Sequence, residues 1–383
     1  MAKQVILAVA GAGKTYHICH EINPEKRNLI LAFTHENIHN IQQELTGAFT
    51  KIPELTTVET FDAFVYHSLI LPYEPSIGEF FGCPSFRSNG ITTIEPPQKC
   101  RIINGKPLNN NAYINKDKLG HYVSKNGLYY CERLSELALQ VKNNGITLIE
   151  RSAKRLNGFY DNILVDEFQD FREYDYDLVS ALSDKLKEIV LVGDYYQHSV
   201  SGTNNSGKPF KNGKKEISYE EFIGKLRKKG FEVDTTILSH SRRCSSEICN
   251  FVSEKLGIRI AAENDHSGSI IWADERAKDI IDNPSILKLV YAKASDYTFS
   301  SMNWSYSKGD TFNEVCVILT PSFERLADKA FTTKGLSTIT INKLYVAMTR
   351  SKGNLYLIKD STFKQIKDAY IKKGIEKSKG RKK

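Results

Sequence analysis

The segment Ala8-Val9-Ala10-Gly11-Ala12-Gly13-Lys14-Thr15 constrains this chain more than any other. It follows the apolar run Val5–Val9 and opens a helical stretch, the strand–loop–helix setting in which a glycine-rich loop can wrap a phosphate. Gly11 and Gly13 let the backbone bend so that the N–H groups of Ala10, Gly11, Ala12 and Gly13 turn into one anion nest. The following helix adds the partial positive charge of its N-terminus. Lys14 is placed to reach the outer phosphates, and the Thr15 hydroxyl to hold Mg²⁺. Ala8 stands where such loops usually begin with glycine. The loop implies a nucleoside triphosphate, with ATP and Mg²⁺ as the expected pair, and leaves the reaction open.

Two further strand ends carry polar groups of matching chemistry. Ile163-Leu164-Val165 ends in Asp166-Glu167. Asp166 suits a Mg²⁺ shell, and Glu167 suits polarising an attacking water. Ile189–Val192 ends in Gly193-Asp194 and then Gln197, whose amide can bond a terminal phosphate and register its loss. Arg243 and Arg350 are candidates to neutralise charge developing on the transferred phosphoryl group, although an arginine taken alone is more often a partner in a surface salt bridge.

The rest of the chain reads as an α/β protein. Leu29–Phe33, Val315–Leu319 and Leu355–Ile358 are further short apolar runs, as buried parallel strands are, and helical patterns such as Glu36–Leu45 and Tyr174–Leu186 lie between the runs. Residues 72–127, rich in Pro, Gly and Asn, break this rhythm as an irregular insertion. Residues 200–216 read as a long polar loop. No apolar run reaches the about 18 residues of a membrane helix. The N-terminal apolar run is too short for a secretory signal. Seven scattered cysteines argue against a disulfide framework and fit a reducing, cytoplasmic setting. The net charge of +8, partly in the tail from Lys364 to Lys383, suits a polyanionic partner or a solvated end.

In order along the chain, these segments resemble the UvrD/Rep type of superfamily 1 helicases. Ala8–Thr15 resembles motif I, and Ala32-Phe33-Thr34-His35-Glu36-Asn37 motif Ia. Thr57–Phe64 resembles the next nucleic-acid motif. Val165-Asp166-Glu167-Phe168-Gln169-Asp170 resembles motif II, Leu191–Gln197 motif III and Leu238–Ile248 motif IV. Ser307-Lys308-Gly309-Asp310-Thr311-Phe312 resembles motif V and Leu344–Lys352 motif VI.

The resemblance implies two RecA-like domains with parallel sheets and ATP bound between them. The first would span 1–64 and 151–235, with an accessory insertion at 65–150. The second would span 236–360, followed by a basic tail at 361–383. Glu167, Gln197, Arg243 and Arg350 would be catalytic, and Thr15 and Asp166 would hold Mg²⁺. Arg242 and Gly309 would join the loop in binding nucleotide. Thr34, Thr60, Phe64, Lys308 and Thr311 would contact the strand. The activity implied is ATP-driven movement on single-stranded nucleic acid, with DNA and 3′-to-5′ polarity expected. An ATP-controlled recruiter of a protein partner, with little unwinding, and an RNA-directed motor stay open as alternatives.

The departures are specific. Only residues 249–306 lie between motifs IV and V, so the family's large accessory domain is absent there. The upstream glutamine motif that reads adenine has no room before the loop. The aromatic segment expected after Gln197 is replaced by His198-Ser199-Val200, leaving Phe64, Tyr195, Tyr196, Phe210 or Trp304 as possible substitutes for stacking a base. Ser305 stands where the family has histidine. Cys83, Cys100, His121 and Cys131 are zinc-ligand types without a Cys-x-x-Cys pair, and packing explains them as well. Finally, Arg242 stands where the family stacks tyrosine on adenine, and a guanidinium plane accepts any base. GTP and CTP are therefore expected to compete with ATP about equally in a nucleotide-competition assay; strict preference for ATP counts against this reading.

Overall fold

The computed structural model describes residues 2–103, 106–198, 209–213, 215–263 and 267–372. The chain forms two compact units. The first holds Met1–Val5, Thr15–Val192 and Asn205–Val233; the second holds Ile6–Lys14, Gly193–Asn204 and Asp234–Lys383.

A six-stranded sheet comprises β1 (Ala2–Leu7), β2 (Asn28–Ala32), β3 (Thr56–Thr60), β4 (Asn162–Asp166), β5 (Glu188–Gly193) and β6 (Glu232–Asp234), in the order β6-β1-β5-β4-β2-β3. Strand β4 runs parallel to β5 and to β2, and β2 runs parallel to β3. Val165 lies opposite Leu31 on one side and Leu191 on the other. All five residues of β2 are buried, which is why the run reads as continuously apolar. Helix α1 (Lys14–Glu21) follows the phosphate loop. Helix α2 (His35–Phe49) is capped by the Thr34 hydroxyl, which accepts from the Asn37 amide. Helices α3 (Leu148–Phe159) and α4 (Glu173–Ser183) lie before and after β4.

The insertion at 65–150 carries a π-helical turn, Val65–Ile70, short helices and three two-stranded ribbons. Tyr122, Tyr129, Ile77 and Leu137 are its most buried side chains, each at most 1% exposed, and the helix that carries Leu137 packs on α4.

The second unit is built on a five-stranded parallel sheet. Its strands are β7 (Ile270–Trp272), β8 (Leu287–Val290), β9 (Ser301–Asn303), β10 (Val315–Ile318) and β11 (Leu355–Ile358), in the order β7-β11-β10-β8-β9. Helix α5 (Ser246–Leu256) and helix α6 (Thr338–Met348) flank it. The C-terminal half of α6, Leu344 to Met348, is wholly buried. One side of the sheet packs Ile280, Ile281, Cys316, Ile318, Ile358 and Phe363 together.

The α/β class with parallel sheets expected from the sequence is the observed one. The differences are local. Strand β1 ends at Leu7; Ala8 still donates to the Gly193 carbonyl at the end of β5, and Val9 then turns to the Leu238 carbonyl. Strand β8 escapes a search for apolar runs because Lys288 interrupts it; this lysine is fully buried and bonds the Asn283 carbonyl. The polar loop at 200–216 and the tail lysines beyond Lys372 lie mostly outside the described residues. No helix among the described residues is long and apolar enough to cross a membrane.

Leu191, fully buried on β5, supports the sheet from its interior. Leu191→Ala is expected to cost about 2–5 kcal/mol, read as a lower midpoint in urea denaturation. Ile94→Ala, at a position 70% exposed, should shift stability by less than about 0.5 kcal/mol.

Candidate nucleotide site and nucleic-acid contacts

Parallel strands deliver their carboxyl ends to one edge of a sheet, and that edge is where α/β folds bind ligands. In the first unit, Thr34 after β2, Thr60 ending β3 and Asp166 ending β4 occupy such ends.

In the second unit, the phosphate loop has Gly11 at φ +74° and Gly13 at φ +83°, conformations that other residues rarely adopt. Gly11 is required by space as well. A Cβ there would stand 2.7 Å from Arg243 Cβ and 2.8 Å from Ser241 Oγ. The Arg242 amide donates to the Gly11 carbonyl at 2.8 Å. Residues 241–243 thus pack directly on the loop. The Ala10 amide donates to the Tyr345 hydroxyl at 2.7 Å, and that hydroxyl donates to Asp194 at 3.1 Å. Gln197 donates to the same Asp194 oxygen at 2.7 Å. Arg242 itself turns outward and pairs with Glu263 at 2.6 Å.

The two arginines converge on Thr349. Arg243 Nη1 donates to its carbonyl at 3.0 Å, and Arg350 Nη2 to its hydroxyl at 3.2 Å. Arg350 is 1% exposed and is otherwise held by the carbonyls of Val346, Ser307 and Asp310. Burial, and then the neighbouring Arg243, push its guanidinium down to about 9. Two cations held this close, one of them bonded to neutral oxygens, favour an anion beside them.

In the first unit, Thr15 Oγ1 donates to Asp166 Oδ2 at 2.9 Å, and Asp166 is 1% exposed. One hydroxyl and one carboxylate at this separation suit Mg²⁺, a hard cation that takes few protein oxygens and keeps the rest for phosphate and water. Glu167 adopts φ +56°, unusual for a residue other than glycine, and its carboxylate accepts from the fully buried Gln169. Backbone strain of this kind costs of order 1–3 kcal/mol and tends to collect at functional sites. Cys19, on α1, is pushed up to about 12 by burial and then by Asp166, so its thiol stays protonated.

The residues proposed for strand contact separate. Thr34 is exposed and Thr60 half-buried, each capping a helix. Lys308 is half-buried, and Gly309, at φ +94°, and Thr311 are exposed on the loop that Arg350 holds. Phe64 corrects the sequence reading: it is 2% exposed and its ring packs on Phe61, so it offers no face to a base. Tyr195, Phe210 and Trp304 are likewise core residues, and Tyr196 packs on Tyr345. Beside Lys308, two residues before it, Tyr306 is an exposed aromatic, 68% accessible. Tyr306, Tyr345, Asp194 and Gln169 carry geometry that the sequence reading assigned to no role. The first could have been sought as an aromatic in a polar segment; the others needed contacts made far along the chain.

Cys83 and Cys100 are exposed, Cys131 is buried, and His121 bonds the Ile114 carbonyl and Glu136. Among the described residues no group of three or more potential ligands gathers to hold a metal ion.

Comparison with solved structures finds similarity to the arterivirus nonstructural protein 10 helicase in complex with DNA, at 13% identity and a TM-score of 0.43, covering 94% of this chain and 62% of that one. A crystal structure of the arterivirus nonstructural protein 10 helicase gives 13% and 0.42, over 94% and 61%. The PRRSV helicase gives 12% and 0.43, over 96% and 54%. The chain therefore spans less than two thirds of each of these proteins. A search of the curated proteins found no match. A family profile described as an AAA domain matches residues 2–203, more than half of the chain, and the protein belongs to the AAA domain family.

Proposed function

We propose that this protein is an ATP-driven motor of the UvrD/Rep type, moving 3′ to 5′ on single-stranded DNA. The observation that carries the reading is the convergence of Arg243 and Arg350 at Thr349, with Arg243 packed on Gly11 of the phosphate loop. The loop amides and Lys14 bind the phosphates. Mg²⁺ would be held by Thr15 and Asp166, and when bound it neutralises charge on the outer phosphates. Glu167, oriented by Gln169, takes a proton from the attacking water. Gln197 follows the terminal phosphate, and the arginines stabilise charge in the transition state. Arg242 and Gly309 border the nucleotide. Thr34, Thr60, Lys308 and Thr311 supply strand contacts, with Tyr306 as a stacking face.

The first test is ATPase activity with and without single-stranded DNA. Stimulation by DNA is expected in the wild type. Lys14→Ala should lose about 10²–10³-fold, as removal of one preorganised donor does. Arg350→Gln should lose about 10³–10⁵-fold, the range for an arginine at a phosphoryl-transfer transition state. Full activity in both variants would remove the proposed site. Strand-displacement assays separate a motor from a nucleotide-controlled recruiter, and RNA in place of DNA tests the polymer.

A second test concerns the strand. Tyr306→Ala should weaken single-strand binding by about 1–3 kcal/mol, the cost of one lost stacking face, with ATPase in the absence of DNA preserved. Thr60→Ala should reduce DNA-stimulated ATPase more than basal ATPase. Thr60→Ser, which keeps the helix cap, distinguishes loss of the cap from loss of a strand contact. Unchanged DNA affinity in Tyr306→Ala, or equal loss of both activities in Thr60→Ala, would argue for surface and packing roles.

A further inference from the structure

The second unit contains a hydrogen-bonded chain whose central members, Tyr345 and Asp194, the phosphate chemistry above does not use. It runs from the Ala10 amide to the Tyr345 hydroxyl, on to Asp194 and back from Gln197. Tyr345 is fully buried. Burial, and then the Asp194 carboxylate, raise its phenol well above the ordinary value, so it stays neutral and donates to Asp194. The phenol oxygen therefore occupies the acceptor position at one amide of the phosphate loop.

The position of that amide matters. The amides from Gly13 to Thr15 lie at the start of α1, where inner phosphates are cradled. Ala10 lies on the limb nearer β1, where the outermost phosphate of a triphosphate would approach. A phosphate oxygen is anionic, and charge-assisted hydrogen bonds are roughly twice as strong as neutral ones. Such an oxygen outcompetes a neutral phenol for the Ala10 amide. A diphosphate has no oxygen to offer there and leaves the phenol in place.

We propose that Tyr345 is a positioning residue that distinguishes triphosphate from diphosphate by yielding the Ala10 amide to the terminal phosphate. The inference rests on the nucleotide-binding reading above and deepens it. Its consequence passes along α6, because Arg350 Nε is bonded to the Val346 carbonyl, the residue next to Tyr345. Release of Tyr345 from the loop alters the anchor of the arginine that follows.

The test is Tyr345→Phe, which keeps the ring and removes the competing acceptor. A non-hydrolysable ATP analogue is expected to bind about tenfold tighter to the variant, the worth of about one hydrogen bond, while ADP affinity changes less than twofold. Equal shifts for both nucleotides, or no shift in either, would overturn the proposal. Thermal melting checks that the variant folds. If it does not, ¹⁵N-alanine-labelled wild-type protein decides: the Ala10 amide resonance, assigned by its loss in Ala10→Gly, should move with the triphosphate analogue and stay in place with ADP. An Ala10 resonance that ignores the triphosphate, or responds equally to ADP, overturns it. Failure of the wild type to bind either nucleotide would instead overturn the underlying assignment of the site.

Discussion

The directionality of parallel strands governs this chain. A parallel sheet releases the carboxyl end of each strand at one edge, and the polar residues that follow those strands gather there even though they are far apart in sequence. Asp166 ends β4, and its oxygen meets Thr15, which lies beyond β1. Thr60 ends β3 opposite Ala32 of β2, and Thr34 follows two residues later. An antiparallel arrangement of the same strands would send alternate polar ends to opposite edges. Within the insertion at 65–150, Tyr122 and Tyr129 are buried.

Charge supplies a second constraint. Burying a guanidinium is costly unless its donors are matched, and Arg350 matches them with carbonyls and a hydroxyl, which satisfy hydrogen bonding without cancelling charge. Bringing Arg243 to the same threonine raises the local positive potential further. A hydrophobic residue in place of Arg350 would pack α6 more cheaply. Retaining the cation there is understandable if an anion completes the balance, and the adjacent phosphate loop has the backbone to receive one.

Much of this was legible in the sequence because it is local. The phosphate loop reads from its glycines and its Lys-Thr pair; β4 and its two acids read from an apolar run that stops at charge. The strand at Leu355–Ile358 was placed at its observed ends. What was not legible depends on exposure or on distant partners. An aromatic such as Phe64 looks the same in sequence whether it stacks on a base or on Phe61. Strand β8 is hidden by Lys288, whose burial is decided by the Asn283 carbonyl. The bond from Ala10 to Tyr345 joins residues separated by 335 positions, and no spacing rule reaches that far.

Helix α6 explains how a single hydroxyl can matter to a distant charge. A solvent-facing helix end can fray and absorb a small displacement locally. The end of α6 cannot, because Leu344 to Met348 are enclosed on every side. Packed interiors respond to a change by shifting as a body rather than by deforming continuously. Arg350 lies just beyond the end of α6 and is tied back to the helix through the Val346 carbonyl, next to Tyr345. Its other bonds reach the loop carrying Lys308 and Thr311. The phosphate loop, the arginine and the candidate strand-contact loop are thus all hydrogen-bonded to one buried segment and its immediate continuation.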